Sequence, residues 1–254
     1  MTREAAPAPP KGVPAVRRAA AILALLARRR EPLTLTQIAQ AVGILPSSCL
    51  LILRELAAAR MVAVDARRKT YRPGYGLVEL ARGVTDQDPL SALAEPFLKD
   101  LAERFGMTVT LTVPVDDHVV LVAHAQPREA ISINVTPGGR VPLLSGAAGR
   151  LLAAETGANR AALQRAFQGV RWQIAPAFET WLAEVEAAGR DGWAEDQGCF
   201  TRGVTTVAVP IRGADDVIAG VLGVGAISVQ LDARLRTRVL AALRKSARLI
   251  GRQL

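Results

Sequence analysis

The residues with the chemistry to recognise a ligand fall into three groups along this chain of 254 residues. Small residues around Ser145 offer a hydroxyl and backbone amides, three consecutive cations run from Arg67 to Lys69, and Cys199 is a thiol in a loop. The amides at the start of a helix attract a carboxylate, and clustered cations attract phosphate. These residues therefore favour the binding of anions.

The sequence offers little that catalysis could use. It contains no G-x-S-x-G, P-loop or H-E-x-x-H string. Its histidines, His118 and His124, do not suggest a metal site because His118 falls in an Asp-rich turn. The two cysteines, Cys49 and Cys199, are too far apart in the chain to suggest a redox pair. We predict no enzyme activity, no cofactor and no metal, with a redox enzyme using Cys199 as the weaker alternative.

Positive charge is concentrated in the first third of the chain. The formal net charge is +9. Residues 1–85 hold 14 Lys and Arg against 5 Asp and Glu, and residues 86–254 hold 18 of each kind. This division is typical of a small module that neutralises phosphates and a larger, neutral partner domain.

Composition places the protein in the cytoplasm. Hydrophobic residues make up 50% of the chain, enough for a real core. Two cysteines cannot build a disulfide framework. The nine-residue apolar run from Ala19 to Ala27 is bracketed by arginines and lacks a convincing cleavage site, which predicts a helix and not a signal peptide, and it is too short for a membrane span. We expect no contact with a membrane.

Local patterns in the first third predict a winged helix-turn-helix. Apolar residues recur every three or four positions between Val16 and Ala27. Thr34 and Gln37 fit a capping box, and Gly43 is placed to end that second helix. A third helix begins at Pro46 and is followed by a β-hairpin wing. Three cations occupy the predicted tip of the wing: Arg67, Arg68 and Lys69.

The rest of the chain predicts an α+β domain whose largely antiparallel sheet is covered by helices. The predicted helices are 89–106, 146–155, 160–167, 178–188 and one beginning at Asp232. The predicted strands are 108–113, 119–125, 131–135, 205–211 and 218–227. The domain plan is a flexible arm (1–14), a winged helix-turn-helix (15–74), a linker helix (75–88) and an effector domain (89–254).

Several strings in this order resemble the IclR family of bacterial transcription regulators. In the first third they are Arg18, LTLTQIAQAVGI with Thr36, the stretch from Leu53 to Leu56, and the exit from the wing at Tyr71. In the rest they are GGRVPLLSGAAGRLLAAE, GWAEDQGCFTRGVTTVAVPI and VIAGVLGVGAIS. The resemblance implies a winged helix-turn-helix, a linker helix and a GAF-like effector domain. It further implies a homodimer or pair of dimers that binds a double-stranded DNA operator in response to a small organic acid.

The third helix departs from the family pattern where DNA is read. Family members place a polar or aromatic residue and then Arg at the positions of Leu50 and Leu51, and Gly at the position of Arg60. We predict that Arg54 replaces the missing Arg and that Leu51 contacts a thymine methyl. The alternative is that Leu50 and Leu51 pack against a neighbouring element, so that the helix reads DNA poorly. The candidate DNA-binding residues are Arg18, Thr36, Ser47, Ser48, Leu51, Arg54, Arg67, Arg68 and Lys69.

The string around Ser145 predicts the effector site. Ser145 can cap the following helix, whose first amides, at Gly146 and Ala147, would hold a carboxylate. The resemblance implies polar contacts from Asp196 and Thr206. The body of the ligand is predicted to lie against apolar side chains: Met107, Val109, Leu121 and Val221.

Two glycines set the predicted size of the ligand. Gly223 and Gly225 fall where some family members present serines. Their loss of two hydroxyls predicts a monocarboxylate bulkier than a two- or three-carbon oxoacid, with an aromatic acid as one candidate. The alternative is that these glycines only permit close packing of the sheet. Binding would shift the linker helix and so change the spacing of the DNA modules.

The sequence also leaves open a different function for the whole protein. In this alternative it is an architectural protein that coats DNA nonspecifically and has a non-functional pocket.

Overall fold

The computed structural model describes residues 13–29, 31–85, 88–128 and 133–254, with the side chains of residues 84 and 85 left out. The chain divides into two compact units between Gln87 and Asp88. Of the predicted flexible arm, residues 1–12 lie outside the described residues. The arm's last residue, Pro14, is already the first residue of a helix.

The first unit contains the three predicted helices and the wing. Its elements are α1 (Pro14–Arg28), β1 (Leu33–Thr34), α2 (Leu35–Val42), α3 (Pro46–Ala58), β2 (Val62–Asp65), β3 (Thr70–Pro73) and α4 (Gly76–Thr85). A three-stranded antiparallel sheet runs in the order β1-β3-β2. The two-residue strand β1 is not in the sequence prediction, because two residues are too few for a periodic pattern.

The core of the first unit forms where the three helices meet the wing. The fully buried residues include Ile22 and Leu26 of α1, Ile38 of α2, and Cys49 and Leu53 of α3. The predicted helix α1 is confirmed, but both ends of its predicted apolar stretch are exposed, Val16 at 66% and Ala27 as well, so that Ile22 and Leu26 alone are buried among its described residues. The capping box is confirmed: Thr34 Oγ1 accepts from Gln37 N, and Gln37 Oε1 accepts from Thr34 N.

The second unit has a six-stranded antiparallel sheet with helices on both faces. Its elements are α5 (Pro89–Phe105), β4 (Thr108–Val115), β5 (His118–Ala125), β6 (Arg140–Pro142), α6 (Gly146–Glu155), α7 (Arg160–Gln168), α8 (Phe178–Asp191), β7 (Ala194–Gln197), β8 (Val204–Arg212), β9 (Ile218–Ile227) and α9 (Ala233–Gly251). The strand order is β6-β5-β4-β9-β8-β7. The α+β fold class is thus confirmed.

The two faces of this sheet bury two separate sets of apolar residues because side chains alternate along a strand. On one face, Val109, Leu222 and Val224 pack with α5 and α9 in the larger core. On the other, Ala208 and Val221 pack with α6 and α8. The second face encloses the cavity described below.

The prediction of a strand at 131–135 is wrong for residues 133–135, the part that the structure describes. Residues 133–135 form no strand, and Ile131 and Ser132 lie outside the described residues. The backbone of Ile133 bonds to a side chain instead: its N–H donates to Thr108 Oγ1 at 3.1 Å, and its carbonyl accepts from the same hydroxyl at 3.0 Å. The strand that pairs with the outer side of β5 is β6 instead, and it places Pro142 opposite His118.

Candidate DNA-binding surface and effector cavity

Helix α3 presents its predicted outward face to solvent. Ser47, Leu51 and Arg54 are exposed, and Ser48 is half-buried. Leu51 is 63% exposed. The alternative in which Leu51 packs against a neighbouring element is therefore wrong within the first unit, although Leu50 is half-buried.

Helix α2 ends in a turn that positions α3. Gly43 adopts φ 72° and ψ 39°, the left-handed conformation that glycine takes without steric cost. The outward residues Arg18 on α1 and Thr36 on α2 are both exposed. The first unit thus offers the polar surface that a helix-turn-helix needs.

The wing tip is ordered by one carboxylate. Asp65 Oδ1 accepts from the backbone N–H groups of Arg67 and Arg68, each at 3.0 Å. This turn leaves the side chains of Arg67, Arg68 and Lys69 exposed. Three adjacent cations on an ordered hairpin are suited to contacting a phosphate backbone.

The second unit encloses a small, mostly apolar cavity of about 220 Å³ between the sheet and the start of α6. Seven of the eleven predicted effector residues line it: Ser145, Gly146, Ala147, Thr206, Val221, Gly223 and Gly225. No Asp, Glu, Lys, Arg or His lines it among the described residues. Any charge on a ligand must therefore be held by neutral donors.

Ser145 contributes the most unusual polar atom of this cavity. It is 3% exposed, and its Oγ finds no hydrogen-bond partner within the described ranges. The predicted capping bond is wrong: Ser145 occupies the N-cap position of α6 but its side chain does not cap the helix. A buried hydroxyl without a partner costs about 1–3 kcal/mol, which a ligand can recover.

The threonines of β4 supply polar groups that the sequence prediction missed. Thr108, Thr110 and Thr112 line the cavity, and the last two donate to carbonyls of β9 at 3.4 Å each. Thr206 accepts from the N–H of Ala147 at 3.3 Å, which ties β8 to the start of α6 and corrects the prediction that this amide is free to hold the carboxylate. The alternation in Thr-Val-Thr-Leu-Thr at 108–112 is the signal that identifies them.

Met107 and Val109 are corrections to the predicted site. Val109 on β4 and Met107, which directly precedes β4, have the opposite parity to the cavity-lining threonines and pack in the core beneath α5 and α9. Leu121 is buried but does not line the cavity. Its backbone N–H donates to the Gly139 carbonyl, and its backbone carbonyl accepts from the Gly138 N–H, beside the turn at Pro137 and Gly138.

Asp196 is also misplaced in the prediction, because it pairs with an arginine rather than facing the cavity. Arg150 Nη1 lies 3.0 Å from Asp196 Oδ1, and Asp196 Oδ2 accepts from Phe200 N at 3.1 Å. Arg150 also donates to Glu184 at 2.7 Å and to the Gly146 carbonyl at 2.9 Å. This buried arginine, which sequence reasoning missed, fixes the first turn of α6 against β7 and α8.

The two glycines of β9 have little free space above them. A Cβ on Gly223 would lie 3.2 Å from Thr110 Oγ1, and one on Gly225 would lie 3.1 Å from Ile133 Cδ1. Side-chain ends, not backbone, limit the space. The cavity therefore has its present shape because Ile133 and Thr110 occupy part of the volume next to these glycines.

The remaining candidate chemistry is weak. Burial raises the pKa of the Cys199 thiol, and the nearby Asp196 carboxylate raises it further. A raised pKa keeps the thiol protonated and poorly nucleophilic. The described residues contain no cluster of metal-binding side chains.

No single helix within the described ranges is long and apolar enough to cross a membrane. The pair α2 and α3 passes that test of length and composition together, bent by 108°.

A winged helix-turn-helix joined in one chain to a sheet domain with a small cavity defines a ligand-responsive DNA-binding regulator. Family models agree: residues 15–66 match the IclR helix-turn-helix domain and residues 82–252 match the bacterial transcriptional regulator IclR C-terminal domain. The chain belongs to the IclR family of bacterial transcriptional regulators. The prediction that it is not an enzyme is confirmed, because both matching families consist of transcriptional regulators.

Individual relatives extend over nearly the whole chain. The glycerol operon regulatory protein of Streptomyces coelicolor is 30% identical, over 96% of this chain and 97% of its own length. The crystal structure of an IclR-type regulator from Alicyclobacillus acidocaldarius is 26% identical, with a TM-score of 0.83, and the match covers 95% of this chain and 98% of that one. An IclR homologue from Microbacterium hydrocarbonoxydans, solved in complex with 4-hydroxybenzoate, shares the fold at 20% identity with a TM-score of 0.78, covering 94% of this chain and 98% of that one.

Proposed function

We propose that this regulator binds an operator through α3 and the wing, and that a monocarboxylate with an apolar, ring-sized body controls it from the cavity of the second unit. The observation that carries the ligand proposal is the orphan hydroxyl of Ser145 in a cavity lined mostly by apolar groups. Two independent properties of the cavity, its volume and its lack of charge, define the ligand further.

The volume of the cavity favours a ring. A cavity of about 150 Å³ in another protein holds benzene, and the cavity here measures about 220 Å³. The difference leaves room for a carboxylate beside an aromatic or similar ring. That a fold neighbour was solved with 4-hydroxybenzoate bound is consistent with this size class.

The lack of charge in the cavity favours a single carboxylate. A lone anion can be held by the hydroxyl of Ser145 and by the start of α6, where the backbone dipole is favourable. A dicarboxylate would bury a second charge with no cation to pair it among the described lining residues. We infer that dicarboxylates of similar size bind much more weakly.

We infer self-association from exposed apolar residues of the first unit. Tyr75, Val78 and Leu80 of the linker region are 77%, 49% and 56% exposed. We propose that they join two copies, since two recognition helices on one DNA face add their binding energies.

The proposed domain plan remains a winged helix-turn-helix (15–74), a linker helix (75–88) and an effector domain (89–254). The proposed location is the cytoplasm, because a regulator of this kind acts where the chromosome is.

Isothermal titration calorimetry tests the ligand proposal. Benzoate and 4-hydroxybenzoate are expected to bind the full chain, whereas glyoxylate and a benzene dicarboxylate bind at least tenfold more weakly. Tight binding of glyoxylate alone would overturn the size argument.

The DNA proposal is tested separately by fluorescence anisotropy, which compares binding to the upstream intergenic duplex with binding to a scrambled duplex. Equal affinity for both would favour the architectural alternative.

A further inference from the structure

The second unit, residues 88–254, is nearly neutral in total, with 18 Lys and Arg against 17 Asp and Glu, but its charge is strongly segregated. Residues 233–252 hold seven Lys and Arg and no Asp or Glu, whereas residues 88–232 hold 11 Lys and Arg against 17 Asp and Glu. Nearly all of the basic segment lies in α9, whose opposite side is buried against the sheet. The helix that closes the fold is therefore a cationic element on an otherwise acidic unit.

Five of these cations form one stripe along α9. They are Arg234, Arg238, Lys245, Arg248 and Arg252. Their spacings of 4, 7, 3 and 4 residues keep them on one face of a helix with 3.6 residues per turn. The stripe is about 27 Å long, at 1.5 Å per residue. We call it the α9 stripe.

The cations of the α9 stripe are exposed and form no hydrogen bond or ion pair within the described part of the chain. The two other arginines of α9 differ, because Arg236 pairs with Glu195 at 3.0 Å and Arg244 donates to the Asp191 carbonyl at 2.8 Å. The Glu195 carboxylate, which lies within reach of α9, is thus paired with Arg236 and not with the stripe. The stripe is left available to an external anion.

The helix dipole does not account for the stripe. Cations near the carboxyl end, such as Arg248, are favourable to the helix itself. Arg234 and Arg238 lie in the first two turns of α9, where the dipole disfavours a cation. A run of cations over the whole length of a helix is suited instead to an extended polyanion.

We propose that the α9 stripe is a second DNA-contacting surface, which binds phosphates of duplex DNA independently of base sequence. Duplex DNA presents one charge per about 1.7 Å of axis, so a stripe of 27 Å faces about eight base pairs. DNA is the polyanion that this class of regulator already holds, so the occupant needs no further partner. A second copy of the chain fits less well, because many acidic side chains of the unit are engaged in internal pairs, as Glu155 is with Arg212.

The test compares the salt dependence of binding for three forms of the full chain. The stripe variant is Arg238→Gln/Lys245→Gln/Arg248→Gln. The matched control is Arg165→Gln/Arg171→Gln/Arg190→Gln, which removes the same charge from exposed arginines of the same unit that form no ion pair within the described residues. The probe is a mixed-sequence duplex of about four helical turns, followed by fluorescence anisotropy across a sodium chloride series.

Each lost phosphate contact lowers the slope of log affinity against log salt by about 0.9. The stripe variant is therefore expected to lose about 2.7 from the slope, and the control is expected to keep it. An unchanged slope in the stripe variant, or equal losses in both variants, would overturn the proposal. A changed sedimentation coefficient at unchanged slope would show instead that the stripe joins two copies.

Three further measurements distinguish loss of a DNA contact from loss of folding or of the wing contact. Thermal unfolding should give equal midpoints for all three forms because every replaced side chain is exposed. If the triple variant does not fold, Lys245→Gln/Arg248→Gln is expected to lose about 1.8 from the slope. A wing variant, Arg67→Gln/Arg68→Gln/Lys69→Gln, is measured in parallel, so that failure of the proposed wing contact is seen separately from failure of the stripe.

Discussion

Arg150 Nη1 lies 3.0 Å from Asp196 Oδ1, and the two side chains are 1% and 2% exposed. Arg150 lies on α6, whose first turn borders the cavity, and Asp196 lies on β7 at the edge of the sheet. The ion pair therefore sets where the start of α6 sits relative to the sheet. It positions the proposed carboxylate site without touching the ligand.

Replacing Arg150 with Ala should unfold the second unit readily. The substitution leaves the buried Asp196 carboxylate without its cation, which costs about 3–5 kcal/mol. Urea denaturation followed by tryptophan fluorescence measures the loss, because all three tryptophans belong to this unit. Arg171→Ala, at an exposed position, serves as the control and should change stability by less than about 0.5 kcal/mol. An equally small change in the stability of the Arg150→Ala variant would show that Arg150 does not anchor the start of α6.

Replacing Ser145 with Ala should have opposite effects on stability and on ligand binding. The free protein loses a buried hydroxyl that has no partner within the described residues, so its stability should stay equal or rise. The affinity for benzoate should fall about tenfold, the value of one hydrogen bond to a charged group. Thermal unfolding and calorimetry on the same preparation measure both. A stability loss together with unchanged affinity would mean that Ser145 has a structural partner and does not contact the ligand.

Introducing serines at Gly223 and Gly225 should change which acid binds. The added side chains would enter the space beside Thr110 and Ile133 and supply two hydroxyls to the cavity. A smaller cavity with more donors is expected to bind benzoate at least tenfold more weakly and glyoxylate more tightly, in line with about 1–3 kcal/mol per methylene-sized change. Val217→Ser, at an exposed position on the hairpin between β8 and β9, is the control. If both acids keep their wild-type affinities, the glycines serve only the packing of the sheet.

Arg54→Ala tests how α3 reads DNA. Arg54 is exposed one turn after Leu51 on the outward face of α3. Loss of a base contact is expected to cost about tenfold to a hundredfold in affinity for the upstream duplex and to reduce its preference over the scrambled duplex. Loss of a phosphate contact would weaken both duplexes equally. An unchanged affinity for both would exclude Arg54 from the interface.

Most elements of the fold are predictable because the relevant signals are local. The capping box at Thr34 and the left-handed Gly43 depend on neighbouring residues, and both lie where the sequence predicts them. The strand 131–135 fails because its apolar pattern says nothing about the hydroxyl of Thr108, which is distant in sequence and satisfies the backbone of Ile133.

The cavity is predictable only in part, for a related reason. The glycine-rich start of α6 marks the helix end that borders it. The choice of Met107 and Val109 rather than the threonines of β4 is an error of parity, because a pattern of period two does not say which face of a strand meets which layer. The engagement of Asp196 by Arg150 depends on a contact between α6 and β7 that no local pattern encodes.

The backbone of Arg60, one of the departures from the family pattern, is in a strained conformation. It adopts φ 60°, the left-handed region, at a position where the family resemblance implies glycine. A side chain in this conformation costs about 1–2 kcal/mol. Glycine removes this cost, but it loses more conformational entropy on folding, which offsets part of the gain in stability. Arg60→Gly is therefore expected to stabilise the first unit by about 0.5–1 kcal/mol.

The control for this substitution separates the backbone from the side chain. Arg60 forms an exposed ion pair with Glu79 at 3.1 Å, and both Arg60→Gly and Arg60→Ala remove it. Only the glycine variant relieves the left-handed strain, so it should melt higher than the alanine variant in thermal denaturation followed by circular dichroism. If the alanine variant is the more stable of the two, backbone strain at Arg60 is not what the glycine of other family members avoids.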